Sequence, residues 1–501
     1  MNAPIDLLVI GGGINGAGVA RDAAGRGLSV VLCEKDDLAE GTSSRSGKYI
    51  HGGLRYLEYY EFRLVREALI EREVVLRVAP QLTWPLRLVL PHSPEQRPRW
   101  LIRLGLFLYD HLGGRQRIPA SKALDLRTSP EGAMLRDTSP KGFDYWDVWV
   151  DDARLVILNA LDAARRGAEV LPRTECVAAR RDGGLWHARL KDSTSGAERE
   201  IRARAIFNAA GPWVEKVLGN VAGVNARRSV RLVKGSHIIM KRWWQGDHGY
   251  VLQAQDKRLI FVNPYFDDLA LIGTTDIPYD ERPEGVTIGS DEIDYLLAIL
   301  NRYFKTELTP GDVVDSYSGV RPLYDDDSAK GASAVTRDYE FELDGGGDRA
   351  PILSAFGGKL TTYRKLSEHA LEKLAAFFPE MGPAWTAGAP LPGGEVPEAD
   401  FEAWLQRFAA ERPWLPTELA RHYGRCYGSE AVDLLAGAQS LQDLGRHFGA
   451  LFYEREAKWL IDREWARSAE DILTRRTKHA LFLNDAEKEA FSNWLRLEAA
   501  A

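Results

Sequence analysis

Four short stretches of the chain place a cation or a histidine beside glycines: GGLRY, KGSHI, SGVRP and GGKLTTYR. They contribute Arg55, His237, Arg321 and Lys359. Arginine grips a phosphate with a planar fork of donors, lysine adds a point charge, and histidine can take a proton from a hydroxyl near neutral pH. The set therefore suits a small phosphate ester whose hydroxyl carbon loses a hydride. Each residue alone is more often a structural ion-pair partner or a capped core histidine, so their convergence is a hypothesis.

The element that must position these residues is the first strand with the turn after it. Residues 5–10 read IDLLVI, and a turn with Gly11, Gly13 and Gly16 in the pattern G-x-G-x-x-G follows. A helix of small residues and a second strand, SVVLCE, come next and end at Glu34. Such a turn brings backbone N–H groups to a pyrophosphate at a helix N-terminus, and the acidic residue takes the ribose hydroxyls. The sequence therefore predicts a dinucleotide site.

Length, charge and cysteine content limit the class of protein. The chain has 501 residues, which predicts two or three domains, and its net charge of -7 argues against nucleic-acid binding. Three separated cysteines, Cys33, Cys176 and Cys426, give neither a disulfide framework nor a metal spacing, and they suit a reducing cytoplasm. No metal is expected. The apolar stretches are too short for a signal peptide or a membrane-spanning helix.

The nucleotide-binding pattern returns later in the chain. After Glu34 comes a loop rich in Gly, Ser and Thr, which we predict lies over the cofactor. The stretch ARAIFNAAGPWV is typical of a buried strand whose carboxyl end, at Ala210 and Gly211, leaves space for a ligand. PILSAFGGKLTTYRKL, from Pro351, predicts a strand, a glycine turn and a helix. The cofactor domain is therefore expected to be discontinuous.

Other segments predict a covering sheet, a linker and a helical tail. Residues 231–344 are mostly of β pattern, which favours an antiparallel sheet over the cofactor's reactive end, and residues 382–400 are rich in Pro and Gly. Residues 84–119 combine six arginines with aromatic and aliphatic residues. That segment suits either a membrane-interface element or a buried helix with a solvated arginine face.

The motifs in order resemble one family closely. GGGINGAG, TSS, IHGGLRYLE, WVDDARLV, NAAGPWV, KGSHI, IGTTD, YSGVRPL, TRDY and FGGKLTTYRKL resemble the bacterial, respiratory FAD-dependent glycerol-3-phosphate dehydrogenases. Two departures are Arg45 and Gly47, which stand where the family carries small hydroxyl residues. The resemblance implies FAD, oxidation of sn-glycerol 3-phosphate to dihydroxyacetone phosphate, and membrane quinone as the electron acceptor. It also implies a homodimer that is cytoplasmic and peripherally associated with the inner membrane, and it favours the membrane-interface role for part of residues 84–119.

The resemblance also implies roles for individual residues. The catalytic residues would be His237 as the base and Arg321 at the developing alkoxide. The substrate would contact these two residues together with Arg55, Tyr56 and Lys359. The cofactor would contact Gly11, Gly13, Ile14, Asn15, Gly16, Glu34, Thr42, Ser43, Ser44, Gly52, Gly53, Leu54, Val177, Ala210, Gly211, Gly358, Lys359, Leu360 and Thr361.

The resulting expectation is an α/β protein with an added α domain. We predict a discontinuous Rossmann-like FAD-binding domain (1–80, 145–225 and 345–385), an antiparallel β substrate or cap domain (81–144 and 226–344) and a C-terminal helical domain (395–501). The rival functions are a glycerol-3-phosphate oxidase that uses oxygen, a flavin amine or amino-acid oxidase of similar fold, and a non-catalytic membrane-bound flavoprotein. A NAD-dependent dehydrogenase fits poorly, because the fold returns to the cofactor several times over a long chain.

Overall fold

A computed structural model describes residues 3–93, 95–137, 139–266, 268–325 and 338–498. Residues 326–337 of the predicted cap segment 226–344 lie outside the described part of the chain. They include Thr336 and Arg337 of the TRDY motif. Among the described residues, no helix is long and apolar enough to cross a membrane.

The strands in chain order are β1 (Ile5–Ile10), β2 (Val30–Cys33), β3 (Tyr49–Ile50), β4 (Thr83–His92), β5 (Lys122–Asp125), β6 (Lys141–Val150), β7 (Glu169–Leu171), β8 (Thr174–Asp182), β9 (Leu185–Asp192), β10 (Glu198–Asn208), β11 (Ser229–Lys241), β12 (Gly249–Gln253), β13 (Leu259–Tyr265), β14 (Leu269–Gly273), β15 (Ile277–Pro278), β16 (Val313–Asp325), β17 (Glu340–Gly346), β18 (Arg349–Phe356), β19 (His447–Gly449) and β20 (Phe452–Tyr453).

The α-helices are α1 (Ile14–Gly25), α2 (Phe62–Val78), α3 (Arg99–Leu112), α4 (Asp152–Arg165), α5 (Val214–Lys216), α6 (Ser290–Tyr303), α7 (Tyr363–Leu374), α8 (Phe401–Ala410), α9 (Thr417–Tyr427), α10 (Ala431–Leu434), α11 (Glu454–Arg463) and α12 (Asp485–Glu498). Short 3-10 and π-helical turns connect several of them.

The first sheet is the dinucleotide-binding core. Its strands lie in the order β17-β18-β10-β1-β2-β7, and the strands from β18 to β7 are parallel. Strands β8 and β9 extend it through the first half of β10. The central strand β1 is buried along most of its length because helices α1, α4 and α7 cover one face. This core brings together three segments of the chain that are far apart in the sequence.

Close packing of α1 on the first sheet depends on small side chains. Ala17, Ala20 and Ala23 are fully buried. A Cβ atom on Gly16 would lie 1.8 Å from the carbonyl oxygen of Gly11, so any side chain there would push the helix away from the turn. The last glycine of the G-x-G-x-x-G pattern therefore serves close packing of the helix on the strand.

The second sheet covers the carboxyl edge of the first. It runs β15-β11-β14-β13-β12-β4-β6-β3, with β16 paired to β11 and β5 paired to β6. Its pairs are antiparallel except β12 and β4. Strand β6 crosses the predicted domain boundary at residues 144 and 145, and it pairs along its whole length with β4. That boundary therefore falls inside a strand of the second sheet.

The C-terminal region is a helical unit with its own core, formed around Tyr423, Phe452 and Phe491. Buried ion pairs join it to the cofactor sheet. Arg154 of α4 donates to Glu464, and Arg476 donates to Asp37 over 2.7 Å. Because these charges are removed from water, their mutual pairing fixes how the helical unit sits on the first sheet.

Candidate active site

A cavity of about 390 Å³ lies where the two sheets meet. Its wall includes most of the predicted site residues: Gly11, Gly13, Ile14, Asn15, Glu34, Thr42, Ser43, Tyr56, Ala210, Gly211, His237, Arg321, Gly358, Lys359, Leu360 and Thr361. Residues from both sheets thus border one continuous space. Its position at the carboxyl ends of parallel strands is where open α/β sheets bind ligands.

At the nucleotide end, the glycine turn is shaped as the pattern requires. Gly11 has φ +112°, and a Cβ atom there would lie 2.5 Å from the carbonyl oxygen of Ala209. Glu34 accepts hydrogen bonds from the backbone N–H groups of Gly12 (2.6 Å) and Asp36 (3.0 Å). Burial raises the pKa of the Glu34 carboxyl group. The carboxylate is thereby held rigidly on the cavity wall.

The middle of the cavity is lined by the loop after Glu34 and by the turn before α7. Ser43 Oγ accepts a hydrogen bond from the N–H of Ile14 over 3.0 Å, and Thr42 Oγ1 donates to the carbonyl of Val320 over 2.6 Å. The N–H of His51 donates to Thr361 Oγ1 over 3.2 Å. These bonds tie the loop to α1, to the second sheet and to the α7 turn at once.

Three buried polar atoms on this wall have no hydrogen-bond partner within the described part of the chain: Asn15 Oδ1, Tyr49 Oη and His237 Nδ1. A buried polar atom without a partner costs about 1–3 kcal/mol, which favours a polar ligand in the same space. The glycine turn and these orphaned atoms fit a flavin dinucleotide, whose ring system carries several hydrogen-bonding atoms.

At the reactive end, His237 lies on β11 and its ring stacks on Tyr317 of β16 at a centroid distance of 4.9 Å. Its side chain is buried. Burial, together with the positive charges of Lys48 and Arg321, lowers the pKa of His237 to about 3. The sequence predicted a histidine that titrates near neutrality, whereas the folded protein keeps this imidazole neutral over the physiological range.

The predicted cations have specific partners. Arg321 forms an ion pair with Asp276 and donates to the carbonyl of Thr275 over 3.0 Å. Lys359 lies over the ring of Tyr56, with 4.0 Å between its Nζ atom and the ring centroid. Both side chains border the cavity, so their charges face whatever occupies it.

Seven predicted site residues lie outside the wall formed by the described residues: Gly16, Ser44, Gly52, Gly53, Leu54, Arg55 and Val177. Gly16 acts through packing. The N–H of Gly52 donates to Tyr109 Oη over 2.8 Å, and Gly53 has φ +73° at the start of a 3-10 turn that carries half-buried Arg55. Val177 sits at a bulge in β8, beside the wall residue Cys176.

Several wall or neighbouring residues were missed by sequence reasoning. Lys48 is buried, pairs with Asp152 over 2.7 Å and lies 5.2 Å from the ring centroid of Tyr317. Arg45, in the loop before β3, and Tyr49, the first residue of β3, also border the cavity. The WVDDARLV motif held a signal, since Asp152 is its second aspartate, but nothing local indicated which lysine it would pair with.

The fold and the cavity define a flavin-dependent oxidoreductase. Residues 6–364 match the model of FAD dependent oxidoreductases, and residues 384–499 match the C-terminal domain of alpha-glycerophosphate oxidase. A Bacillus halodurans glycerol-3-phosphate dehydrogenase structure complexed with FAD aligns with a TM-score of 0.77 and 27% identity, over 99% of this chain and 95% of that one.

Similar proteins of known activity indicate which family of flavin-dependent oxidoreductases the chain belongs to. The chain is 52% identical to a Pseudomonas aeruginosa glycerol-3-phosphate dehydrogenase, over 98% of this chain and 95% of that protein. It is 60% identical to the D-erythritol 1-phosphate dehydrogenase of Brucella abortus, over 98% of this chain and 97% of that protein. The chain belongs to the FAD-dependent glycerol-3-phosphate dehydrogenase family. FAD is therefore its cofactor, as the family resemblance implied.

Proposed function

We propose that this enzyme oxidises sn-glycerol 3-phosphate to dihydroxyacetone phosphate and that its electrons pass to membrane quinone. The observation that supports this most is the continuity of one cavity, from the dinucleotide turn at Gly11 to a buried neutral histidine, His237, with Arg321 and Lys359 on the same wall. Similarity to glycerol-3-phosphate dehydrogenases over nearly the full chain adds to it.

FAD, when bound, supplies the acceptor for the hydride of substrate C2 and its two electrons. The neutral His237 accepts the proton of the C2 hydroxyl group. Arg321, fixed by Asp276 and Thr275, stabilises the negative charge that develops on that oxygen. Lys359 binds the phosphate group from the cavity wall, and Arg55 approaches it from beside that wall, on the 3-10 turn that also carries the wall residue Tyr56. Burial and the charges of Lys48 and Arg321 lower the pKa of His237, and the negative charge of the phosphate offsets those two charges. Binding of the anionic ester thus strengthens the base.

The test of this proposal is anaerobic reduction of the purified flavoprotein by a panel of substrates. Glycerol 3-phosphate should bleach the oxidised flavin, and glycine, proline and simple amines should not. Bleaching by an amino acid alone would instead support the amino-acid oxidase alternative, whose members include fold neighbours of this chain. Reduction by no polyol phosphate at all would support a non-catalytic flavoprotein.

A second candidate substrate is a four-carbon polyol phosphate. The relative named D-erythritol 1-phosphate dehydrogenase is 60% identical to this chain, against 52% for the relative from Pseudomonas aeruginosa. Both compounds are terminal phosphate esters of a polyol, so one set of cations and one base would serve either. Stopped-flow reduction with each, at equal concentrations, ranks them directly.

The electron acceptor and the cellular location of the enzyme depend on the same exposed surface. Helix α3 exposes Trp100, Leu104 and Phe107, and the neighbouring 3-10 turn Leu54–Tyr59 is followed by Tyr60, which is 80% exposed. Aromatic side chains beside arginines suit the interface of an anionic membrane, where quinone is dissolved. We therefore propose peripheral association with the cytoplasmic face of the inner membrane. Hydrogen peroxide release without any quinone reduction would favour the oxygen-using oxidase.

A homodimer completes the proposal. The exposed rings of Phe266 and Phe482 meet edge to face with centroids 5.2 Å apart, an apolar pair that suits burial against a second copy. Light scattering of the detergent-purified flavoprotein should give twice the mass of one 56.0 kDa chain. A mass of one chain at micromolar concentration would contradict this assembly.

A further inference from the structure

Four glycines lie on the cavity wall around His237: Gly47, Gly235, Gly273 and Gly319. At two of these positions, contacts within the protein leave no room for any side chain. A Cβ atom on Gly273 would lie 2.2 Å from Cδ2 of His237, and a Cβ atom on Gly235 would lie 2.6 Å from Nη2 of Arg321. These positions must be glycine for the catalytic side chains to lie where they do.

At the third position, Gly319, the side chain of Arg45 occupies the space that a Cβ atom would need. A Cβ atom on Gly319 would lie 2.9 Å from the Cβ of Arg45, which covers β16 there. Positions 317, 319 and 321 share one face of β16, because side chains alternate along a strand. Arg45 therefore lies on the catalytic face between Tyr317 and Arg321. Its Nη1 donates to the carbonyl of Ser318 over 3.0 Å, so one edge of the guanidinium is fixed.

Gly47 differs from the other three glycines. A Cβ atom there would lie 3.1 Å from the nearest ring carbon of Tyr49 and 3.5 Å from Nε2 of His237, so it requires the Tyr49 side chain, and no backbone atom, to move by a few tenths of an ångström. Its backbone is not in the left-handed region. Backbone conformation does not require a glycine at this position, and packing requires it less than at the other three. What its missing side chain leaves is space beside the proton-accepting edge of His237.

We propose that Gly47 and Arg45 set the length of the polyol phosphate that the site accepts. The space beside Gly47 receives the carbon beyond the third, and the guanidinium N–H groups of Arg45 that do not bond Ser318 bind its hydroxyl oxygen. This inference rests on the proposed oxidation of a polyol phosphate at His237. It assigns the enzyme substrates of at least four carbons in addition to glycerol 3-phosphate.

The direct test compares two substrates in glycine variants. Gly47→Ala and Gly47→Ser should lower kcat/KM for D-erythritol 1-phosphate at least tenfold and lower that for glycerol 3-phosphate less than threefold. Gly41→Ala is the matched control, because Gly41 borders the same cavity at its nucleotide end. A Cβ atom there would make an ordinary 3.5 Å contact with Trp213. The control should leave the ratio of the two kcat/KM values unchanged.

A second variant tests the cation. Arg45→Gln should raise KM for the four-carbon ester about tenfold, with little change in the rate of flavin reduction at saturation. FAD content and the visible flavin spectrum show whether each variant remains folded.

Three results would overturn the inference. The first is an equal fall in kcat/KM for both substrates in the Gly47 variants, and the second is no change in the ratio of the two kcat/KM values. The third is a wild-type enzyme that oxidises only the three-carbon ester. Failure of the proposed function has a different signature, since neither ester would then bleach the wild-type flavin.

Discussion

The buried imidazole of His237 is the residue on which the proposed chemistry depends. Replacing it with alanine should lower the rate of flavin reduction by about 10²–10⁴, the usual contribution of a general base, with only a modest change in substrate dissociation constant. Rapid-mixing reduction at saturating glycerol 3-phosphate measures both quantities. Arg321→Ala is the informative comparison. If that variant abolishes reduction while His237→Ala does not, His237 is not the proton acceptor and the assignment made here is wrong.

At the residue scale, the sequence indicated which polar side chains border the cavity more reliably than it indicated their environment. His237, Arg321 and Lys359 were identified because glycines beside polar residues signal close approach of a ligand, and all three border the cavity. The pKa of His237 was misjudged, because burial and the charge of Lys48 come from tertiary packing that no local pattern encodes. Half-buried Arg55 lies outside the cavity wall formed by the described residues, although its motif is adjacent to that wall.

Among the elements, the N-terminus of α4 links the site to the helical tail. Asp151 caps α4 by accepting from the N–H of Arg154 and also binds Lys478, while Asp152 binds Lys48. Lys48→Met should destabilise the protein by about 3–5 kcal/mol, because it leaves the Asp152 carboxylate buried and unpaired. Lys48→Met combined with Asp152→Asn should recover much of that loss.

Denaturant unfolding, followed by flavin fluorescence, checks this prediction. Arg63→Met is the control, since Arg63 pairs with Glu67 at the surface, where a salt bridge is worth at most about 1 kcal/mol. Equal losses in Lys48→Met and in the control would show that the buried pair does not hold the loop.

Helix α3 carries the prediction about membranes. Trp100 and Phe107 are 69% and 50% exposed on one helix face. Replacing both with serine should weaken binding to vesicles of anionic phospholipid at least tenfold, because insertion of aromatic rings supplies apolar burial. Flavin reduction in solution should stay unchanged. Leu497→Ser, at a similarly exposed apolar position in α12, serves as the control and should bind vesicles as the wild type does.

Element prediction from the sequence succeeded where the signal was local. In the helical tail, Ser-x-x-Asp at 468–471 and Asn-x-x-Glu at 484–487 are patterns that predict helix N-terminal capping pairs. Both pairs form, with reciprocal side-chain-to-backbone hydrogen bonds of 2.9–3.1 Å. The sequence of the helical tail shows no obvious catalytic cluster. His422 and His479 nevertheless both contact the carboxylate of Glu456. Those three residues are brought together only by folding, so their spacing in the sequence did not predict the cluster.

Stability of the whole molecule should depend on pH through its buried histidines. The folded-state pKa of His237 is lowered to about 3 and that of His248 to about 4, both mainly by burial. Below the ordinary value of about 6.5, the unfolded chain therefore binds protons that the folded chain does not. The free energy of unfolding should fall as pH drops from about 7 towards 4. The midpoint of thermal unfolding, measured over that range, reports this loss.

A single substitution isolates one contribution to this pH dependence. His248 is buried next to Tyr250 and outside the cavity wall. His248→Gln should flatten the slope between pH 6.5 and 4 by up to about 1.4 kcal/mol per pH unit while leaving flavin reduction intact. A slope that remains as steep as in the wild type would show that other groups control acid unfolding.

At the scale of the whole chain, the sequence predicted the family and the arrangement of a cofactor sheet with a second sheet and a helical tail. Domain boundaries were harder to predict from the sequence. Strand β6 crosses the boundary placed between 144 and 145, because it is buried along nearly its whole length and β4 pairs with all of it. The salt links of Asp37 with Arg475 and Arg476, about four hundred and forty residues apart in the chain, follow only from the assembled fold.

The most direct measurement is anaerobic stopped-flow reduction of the flavoprotein by glycerol 3-phosphate. The account predicts rapid loss of the oxidised flavin absorbance, with one dihydroxyacetone phosphate formed per flavin reduced. A flavin that dithionite bleaches, but that neither glycerol 3-phosphate nor D-erythritol 1-phosphate reduces, would contradict it.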